Sequence, residues 1–286
     1  MAIVHDRLLN WPIPEIRQRL RWQDSALYAL SVGCGQDPLD SQELSFVTEG
    51  PGMRALPSMA VVLGYPGFWL RDPATGVDAV RVVHGEQRLV LHAPLPVEGE
   101  LVGRSRVTGL VDRGEGKGAL LYTERVIEDV ATGTRLATLE QTTFLRGDGG
   151  FGGPPGPVRR PAPEPEGAPG VALDLPTRPE QALLYRLNGD HNPLHSDPAL
   201  AARAGFPRPI LHGLATFGVV ARGLLRLFCE GDPARFGAIE CRFSAPVFPG
   251  ETIRIEAWPG EGEVPFRARV VERDVVAVGN GLFRPA

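Results

Sequence analysis

Lysine is almost missing from this chain: Lys117 stands alone among 30 basic residues, and the others are arginines. Alanine, glycine and proline are abundant, as a G+C-rich coding sequence would produce, and no function follows from that bias. Cysteine is nearly as scarce. The three present, Cys34, Cys229 and Cys241, lie far apart with no CxxC pair. That argues against a disulfide framework or a zinc ribbon and leaves buried free thiols as the expectation. Long apolar runs are lacking too. None approaches the ~18–20 residues of a membrane helix. The N-terminal segment is broken by charges and prolines and has no signal-peptide core. A basic excess is also absent, since 30 basic against 34 acidic residues leave a net charge of −4. General nucleic-acid binding needs a basic face to neutralise phosphate, so that class is disfavoured. The expectation is a cytoplasmic globular protein with neither a membrane nor a nucleic-acid partner.

What is present suggests two domains. A chain of 286 residues accommodates two cores of similar size. Residues 146–170 (RGDGGFGGPPGPVRRPAPEPEGAPG) consist largely of Gly and Pro, which sustain neither a helix nor a central strand. They read as a linker between an N-terminal domain, 1–145, and a C-terminal domain, 171–286. The two halves share a layout. In the first, SALYALSVG precedes GMRALPSMAVVLG, where Met53, Leu56, Met59, Ala60 and Leu63 recur at helical spacing. Strand-like runs follow: AVRVVHG, QRLVLHAPL, ELVGRSRVTGLV, ALLYTERVIEDV and RLATLEQTTFLR. In the second, RPEQALLYRLNG leads through a Pro-rich loop to LHGLATFGVVARGLLRLF. There Leu214, Phe217, Ala221, Leu224, Leu225 and Phe228 line a broad apolar face. The strand-like runs AIECRFSAPVF, ETIRIEAW, FRARVVERD and VVAVGNGLF complete that half. One long helix and then several strands, twice over, predicts an α+β fold with antiparallel sheets wrapped around helices.

The loops hint at duplication. GCGQDPLD (33–40) aligns with NGDHNPLH (188–195) on Pro-Leu, setting Gly35 against Asp190 and Asp40 against His195. Only the second copy would keep chemistry. Residues 185–217 hold three of the six histidines and two aspartates among turn formers. His191 and His195 have the i, i+4 spacing of a helical zinc motif, but Asn192-Pro193 between them disfavours the helix. Two readings then stand. One is a polar turn, since Gly-Asp and Asn-Pro are common turn formers. The other is an acid/base pair, with Asp190 and His195 held close by a proline-stiffened loop that Asn192 pins. His212-Gly213 falls where the long helix should begin. The N–H groups of a first helical turn lack internal partners and carry partial positive charge. Gly213 has no side chain to keep a ligand carbonyl from its N–H, so that donor could stabilise a developing oxyanion. No Ser or Cys in this segment has a nucleophile-elbow context, and Ser196 beside His195 does not make a triad by adjacency, so water addition is favoured over covalent acyl transfer.

These residues carry a family resemblance. YRLNGDHNPLHSDP followed by GFPRPILHGLATFG resembles the signature of 2-enoyl-CoA hydratase 2, the MaoC-like (R)-specific hydratases. ALYALSVG, HGEQRLVLHAPLP and FSAPVFPGETI resemble further segments of the two-domain, multifunctional-enzyme type. The resemblance implies a double hot-dog fold, two antiparallel sheets each wrapped around a long central helix. It implies catalysis by the C-terminal half and room for the acyl chain in the degenerate N-terminal half. Asp190 and His195 match the catalytic pair, Asn192 the loop-orienting residue and Gly213 the oxyanion-hole donor. The implied substrate is an acyl-CoA thioester, with CoA part of the substrate, no further cofactor and no metal; a homodimer is implied as well. Asn188 departs from the usual Ser, Thr or Gly and is expected to affect packing only. A hot-dog thioesterase and a non-catalytic acyl-CoA-binding subunit are the competing functions. His84 and His92 are read as structural or surface residues, and Tyr185 as a packing residue. His212 is left between structural capping and substrate contact.

Overall fold

The computed structural model describes residues 2–156 and 160–286. Ten strands form one continuous antiparallel sheet: β1 (Ile16–Leu20), β2 (Val82–Leu91), β3 (Gly99–Asp112), β4 (Ala119–Asp129), β5 (Arg135–Leu145), β6 (Val171–Pro176), β7 (Phe236–Phe243), β8 (Thr252–Ala257), β9 (Val264–Val270) and β10 (Val275–Pro285). Their order is β1-β3-β4-β5-β2-β7-β10-β9-β8-β6. Read from its outer edge inward, each half has the same order, with β6 to β10 standing for β1 to β5. The halves meet where the equivalent strands β2 and β7 pair, Leu89 opposite Ile239. The duplication suggested by the two loops is therefore present in the topology. The helices are α1 (His5–Leu9), α2 (Trp22–Ser31), α3 (Ser41–Leu44), α4 (Gln181–Tyr185), α5 (Pro198–Arg203) and α6 (Gly213–Cys229).

Helix α6 is the expected apolar helix, and nearly its whole circumference is buried. Each large apolar side chain so buried contributes about 1.5–3 kcal/mol. Two glycines permit the close packing. A methyl group at Gly218 would strike Val32 and Tyr28 on the α2 side, and one at Gly223 would strike Ile255 and Leu175 on the sheet side. Glu230, in the left-handed region at φ 54°, ends the helix, and Gly231 N–H returns to Leu225 O at 3.1 Å.

The N-terminal half departs from expectation. Where a second long helix was predicted around Met53–Leu63, only a 3-10 segment, Pro57–Val62, forms. Pro57 holds Leu56 in an extended conformation before it, and Gly64, at φ 54°, turns the chain after Leu63. The apolar residues are still used, for Met59, Ala60 and Leu63 are buried. Among the described residues the double hot-dog thus has one joined sheet and a single long central helix. The edge strands β1 and β6 were not anticipated, being short and flanked or ended by proline, as edges tolerate. AVRVVHG and QRLVLHAPL merge into β2 through a register shift between His84 and Glu86, a bulge at Gly85.

Among the described residues, 146–170 contain no helix or strand; residues 157–159 of the expected linker lie outside the described residues. The segment is nevertheless tied down. The Asp112 carboxylate accepts from the N–H groups of Gly150 and Gly152 at 2.9 and 2.6 Å, and Glu164 accepts from Asn280 N–H at 2.8 Å.

The loop 33–43, counterpart of the candidate catalytic loop, has become a brace. Arg222 on α6 donates to Gly33 O at 2.9 Å and forms a buried ion pair with Glu43, whose second oxygen accepts from Gly35 N–H. Asp40, counterpart of His195, caps α3 by accepting from Gln42 and Glu43 N–H. Removing one partner of a buried pair leaves the other charge uncompensated. Glu43→Ala should therefore lower the unfolding free energy by about 3 kcal/mol, read from denaturant midpoints, with part recovered in Glu43→Ala/Arg222→Met.

Candidate active site

The candidate loop follows α4 and a 3-10 turn, Arg186–Asn188. Asn188 Nδ2 donates to Ser31 Oγ and Tyr185 O at 3.0 and 2.9 Å, tying the loop to α2 of the other half, which is the packing role expected of it. Asp190 Oδ1 accepts from Asn192 N–H at 3.1 Å. Asn192 Oδ1 in turn accepts from Leu194 N–H at 3.1 Å and caps the short turn Pro193–His195. Asn192 thus orients the loop, and its own side chain is turned to that task.

His195 is buried and donates from Nδ1 to Ile210 O at 2.8 Å. A carbonyl can only accept, so this bond fixes the proton on Nδ1 and leaves Nε2 with a free lone pair. His212 sits directly before α6. Its Nε2 donates to Asp190 O at 3.2 Å, and its ring stacks on that of His195 with centroids 3.6 Å apart. An Asp190 carboxylate oxygen and one nitrogen of each of these two histidines lie within 4.8 Å of one another. His212 therefore connects the candidate loop to the helix start, where no described residue accepts from Gly213 N–H. A methyl group at Gly213 would meet only the Phe243 ring, at an ordinary 3.7 Å.

The electrostatics keep the imidazoles neutral. Burial lowers the pKa of His195, against the opposing pull of the Ile210 carbonyl and the Asp190 charge. Burial, with His195 adding to it, lowers His212 to about 4. A neutral His195 with an open Nε2 can accept a proton near neutral pH.

The donor set of Asp190, His195 and His212 does not suit a shared metal ion. The two rings are stacked with only 26° between their planes, so their in-plane lone pairs cannot converge on one point. His191 is exposed on the loop and outside this group.

Two further residues border the site. His84, expected to be a structural or surface residue, lies beside the β2 bulge and packs its ring on Phe243 with centroids 4.9 Å apart. Its Nε2 bonds Glu86 O at 3.1 Å, and it lies within electrostatic reach of Asp190. The sequence signal that could have revealed it was the glycine interrupting a strand pattern. Tyr185 is buried against His212, centroids 4.9 Å apart, consistent with packing. His92 bonds only Thr138 Oγ1, at 2.9 Å, away from the site.

The structure thus joins two hot-dog halves in one sheet, with Asp190 and His195 beside the N-terminus of α6. Residues 19–147 match the MFE-2 hydratase 2 N-terminal domain, and residues 161–280 match the MaoC like domain. The chain belongs to the enoyl-CoA hydratase 2 family. It is 39% identical to the peroxisomal enoyl-CoA hydratase 2 of Arabidopsis thaliana, covering 94% of this chain and 91% of that protein. It is 42% identical to 3-hydroxyacyl-thioester dehydratase Y of Mycobacterium tuberculosis, covering 88% and 87%. The crystal structure of a MaoC-like dehydratase from Phytophthora capsici superposes with a TM-score of 0.86 at 36% identity, over 98% of each chain.

Burial of neutral histidines has a thermodynamic consequence. His84 is also held at about 4, first by burial, whereas an unfolded histidine titrates near 6.5. Between those values the unfolded chain binds more protons than the folded one, so acid favours unfolding. The melting temperature should fall as the pH drops from about 6.5 to about 4, and His84→Gln should flatten part of that slope in a pH series of thermal melts.

Proposed function

We propose that the protein catalyses the reversible addition of water to trans-2-enoyl-CoA, giving (R)-3-hydroxyacyl-CoA. The observation that carries this reading is Asp190 and His195 in one braced loop, adjoining through His212 the free N–H of Gly213. The thioester carbonyl is received by Gly213 N–H, where the helix end favours negative charge as the enolate develops. Water is held between the Asp190 carboxylate and His195 Nε2. One of the two removes its proton as oxygen bonds to C3, and a proton is returned to C2 from the same side. The two groups act as a coupled pair. CoA is part of the substrate, and the chemistry requires no redox cofactor or metal. Relatives named enoyl-CoA hydratase 2 and 3-hydroxyacyl-thioester dehydratase support the substrate class.

Crotonyl-CoA and a longer trans-2-enoyl-CoA, followed by loss of the enoyl-thioester absorbance, test the reaction. The wild type should hydrate at least one of them to an (R) product, and Asp190→Asn and His195→Ala should each lose about 10²-fold or more. Release of free CoA instead would establish a thioesterase, and tight binding without turnover a binding subunit. Gly213→Pro isolates the oxyanion donor: proline fits the first helical position but removes the N–H. That variant should lose about 10²–10³ in kcat while keeping its melting temperature.

No helix among the described residues is long and apolar enough to cross a membrane. A homodimer is proposed on family resemblance alone, and light scattering tests it.

A further inference from the structure

One cation on the inner face of the N-terminal half lacks a counter-charge. Along β4, Leu121, Thr123, Arg125 and Ile127 alternate onto one side of the sheet, and Leu121 and Ile127 are fully buried. Arg125 is therefore turned towards the interior. Its Nη2 donates to Val61 O at 2.6 Å, and its charge lies 5.4 Å from the centre of the Tyr65 ring. Nε is buried with no acceptor, and no carboxylate among the described residues lies within ion-pair distance. The contrast with Arg222 is direct, since that buried guanidinium has Glu43. A half-buried charge with an unpaired buried Nε and no partner carboxylate is costly where an aliphatic residue would pack freely. Burial pushes the Arg125 pKa down to about 10.

Its position relates it to the catalytic pair. Tyr65, Tyr185 and His84 each feel both the Asp190 carboxylate and the Arg125 guanidinium. His84 packs on Phe243, which borders Gly213. The guanidinium thus stands beyond a small group of rings from the site, in the half where the second central helix is cut to Pro57–Val62. An acyl chain with its carbonyl at Gly213 and C3 at the catalytic pair has that half left to enter.

We propose that Arg125 is a specificity residue for a carboxylate borne on the acyl chain beyond C3, so that the preferred substrates are 2-enoyl-CoA thioesters of dicarboxylic acids. The guanidinium supplies the unmet donors and the charge, and the second carboxylate completes the pair. This inference rests on the hydratase reading of the site.

The test compares trans-2-octenedioyl-CoA with trans-2-octenoyl-CoA, which differ only at the chain end. The wild type should favour the diacid by about tenfold or more in kcat/KM, because a buried polar group rejects a substrate that leaves it unpaired. Arg125→Met should reduce the diacid-to-monoacid ratio at least about tenfold, and Arg125→Lys, which keeps the charge, should retain part of the preference. A wild type that favours the monoacid would overturn the inference. So would an Arg125→Met variant that lowers both substrates in parallel, the signature of a residue that only caps Val61. Failure of the wild type to hydrate either thioester would remove the hydratase reading itself, and this inference with it.

Discussion

The burial of helix α6 between the sheet and the N-terminal half, chiefly its Pro57–Val62 segment with α2 beside Gly218, is the constraint from which the rest of the architecture follows. A helix apolar around nearly its whole circumference must be enclosed, and a five-stranded half-sheet encloses only part of it. The second half completes the enclosure by continuing the sheet through β2 and β7 and by laying α2 against Gly218. With the helix fixed in this way, its N-terminus is fixed too. A free N–H at Gly213 can act on a reacting carbonyl only if it does not move when charge develops, because preorganisation is what gives such a donor its value.

Duplication without symmetry is the second theme. The strands repeat in order, yet the two equivalent loops have diverged into opposite tasks. In one, Asp190 and His195 are left with open valences beside the helix start. In the other, Asp40 satisfies its own helix cap and Glu43 neutralises Arg222 inside the protein. One copy leaves His195 Nε2 without a partner among the described residues, and the other commits Asp40 and Glu43 to bonds inside the protein.

Within the site, burial and hydrogen bonding act in concert on the histidines. A carbonyl at Nδ1 selects the tautomer of His195, and desolvation disfavours its imidazolium. His212 covers one face of that ring while its own nitrogen binds the Asp190 carbonyl. The carboxylate, exposed at the loop, stays open to a ligand. The environment thus constrains the imidazole and leaves the carboxylate accessible.

Much of this was legible in the residues alone. The helical period of Leu214–Phe228, most of the strands, the Gly/Pro-rich segment and the pairing of Asp190 with His195 through a stiff loop all depend on contacts between near neighbours in the chain. So did the resemblance of the two Pro-Leu loops. What only the tertiary structure decided involves residues far apart in sequence. The apolar spacing at Met53–Leu63 was compatible with a long helix, and the flanking proline and glycine cut it to a 3-10 turn while packing buried the same side chains. His84 reached the site through a bulge and a strand pairing across the two halves, and His212 became a bridge because its ring met His195. Arg125 reads as an ordinary strand cation until the sheet turns it inward, away from any carboxylate among the described residues. Local sequence encodes periodicity and turn chemistry; which polar group is left unpaired depends on the partners that folding brings from elsewhere in the chain.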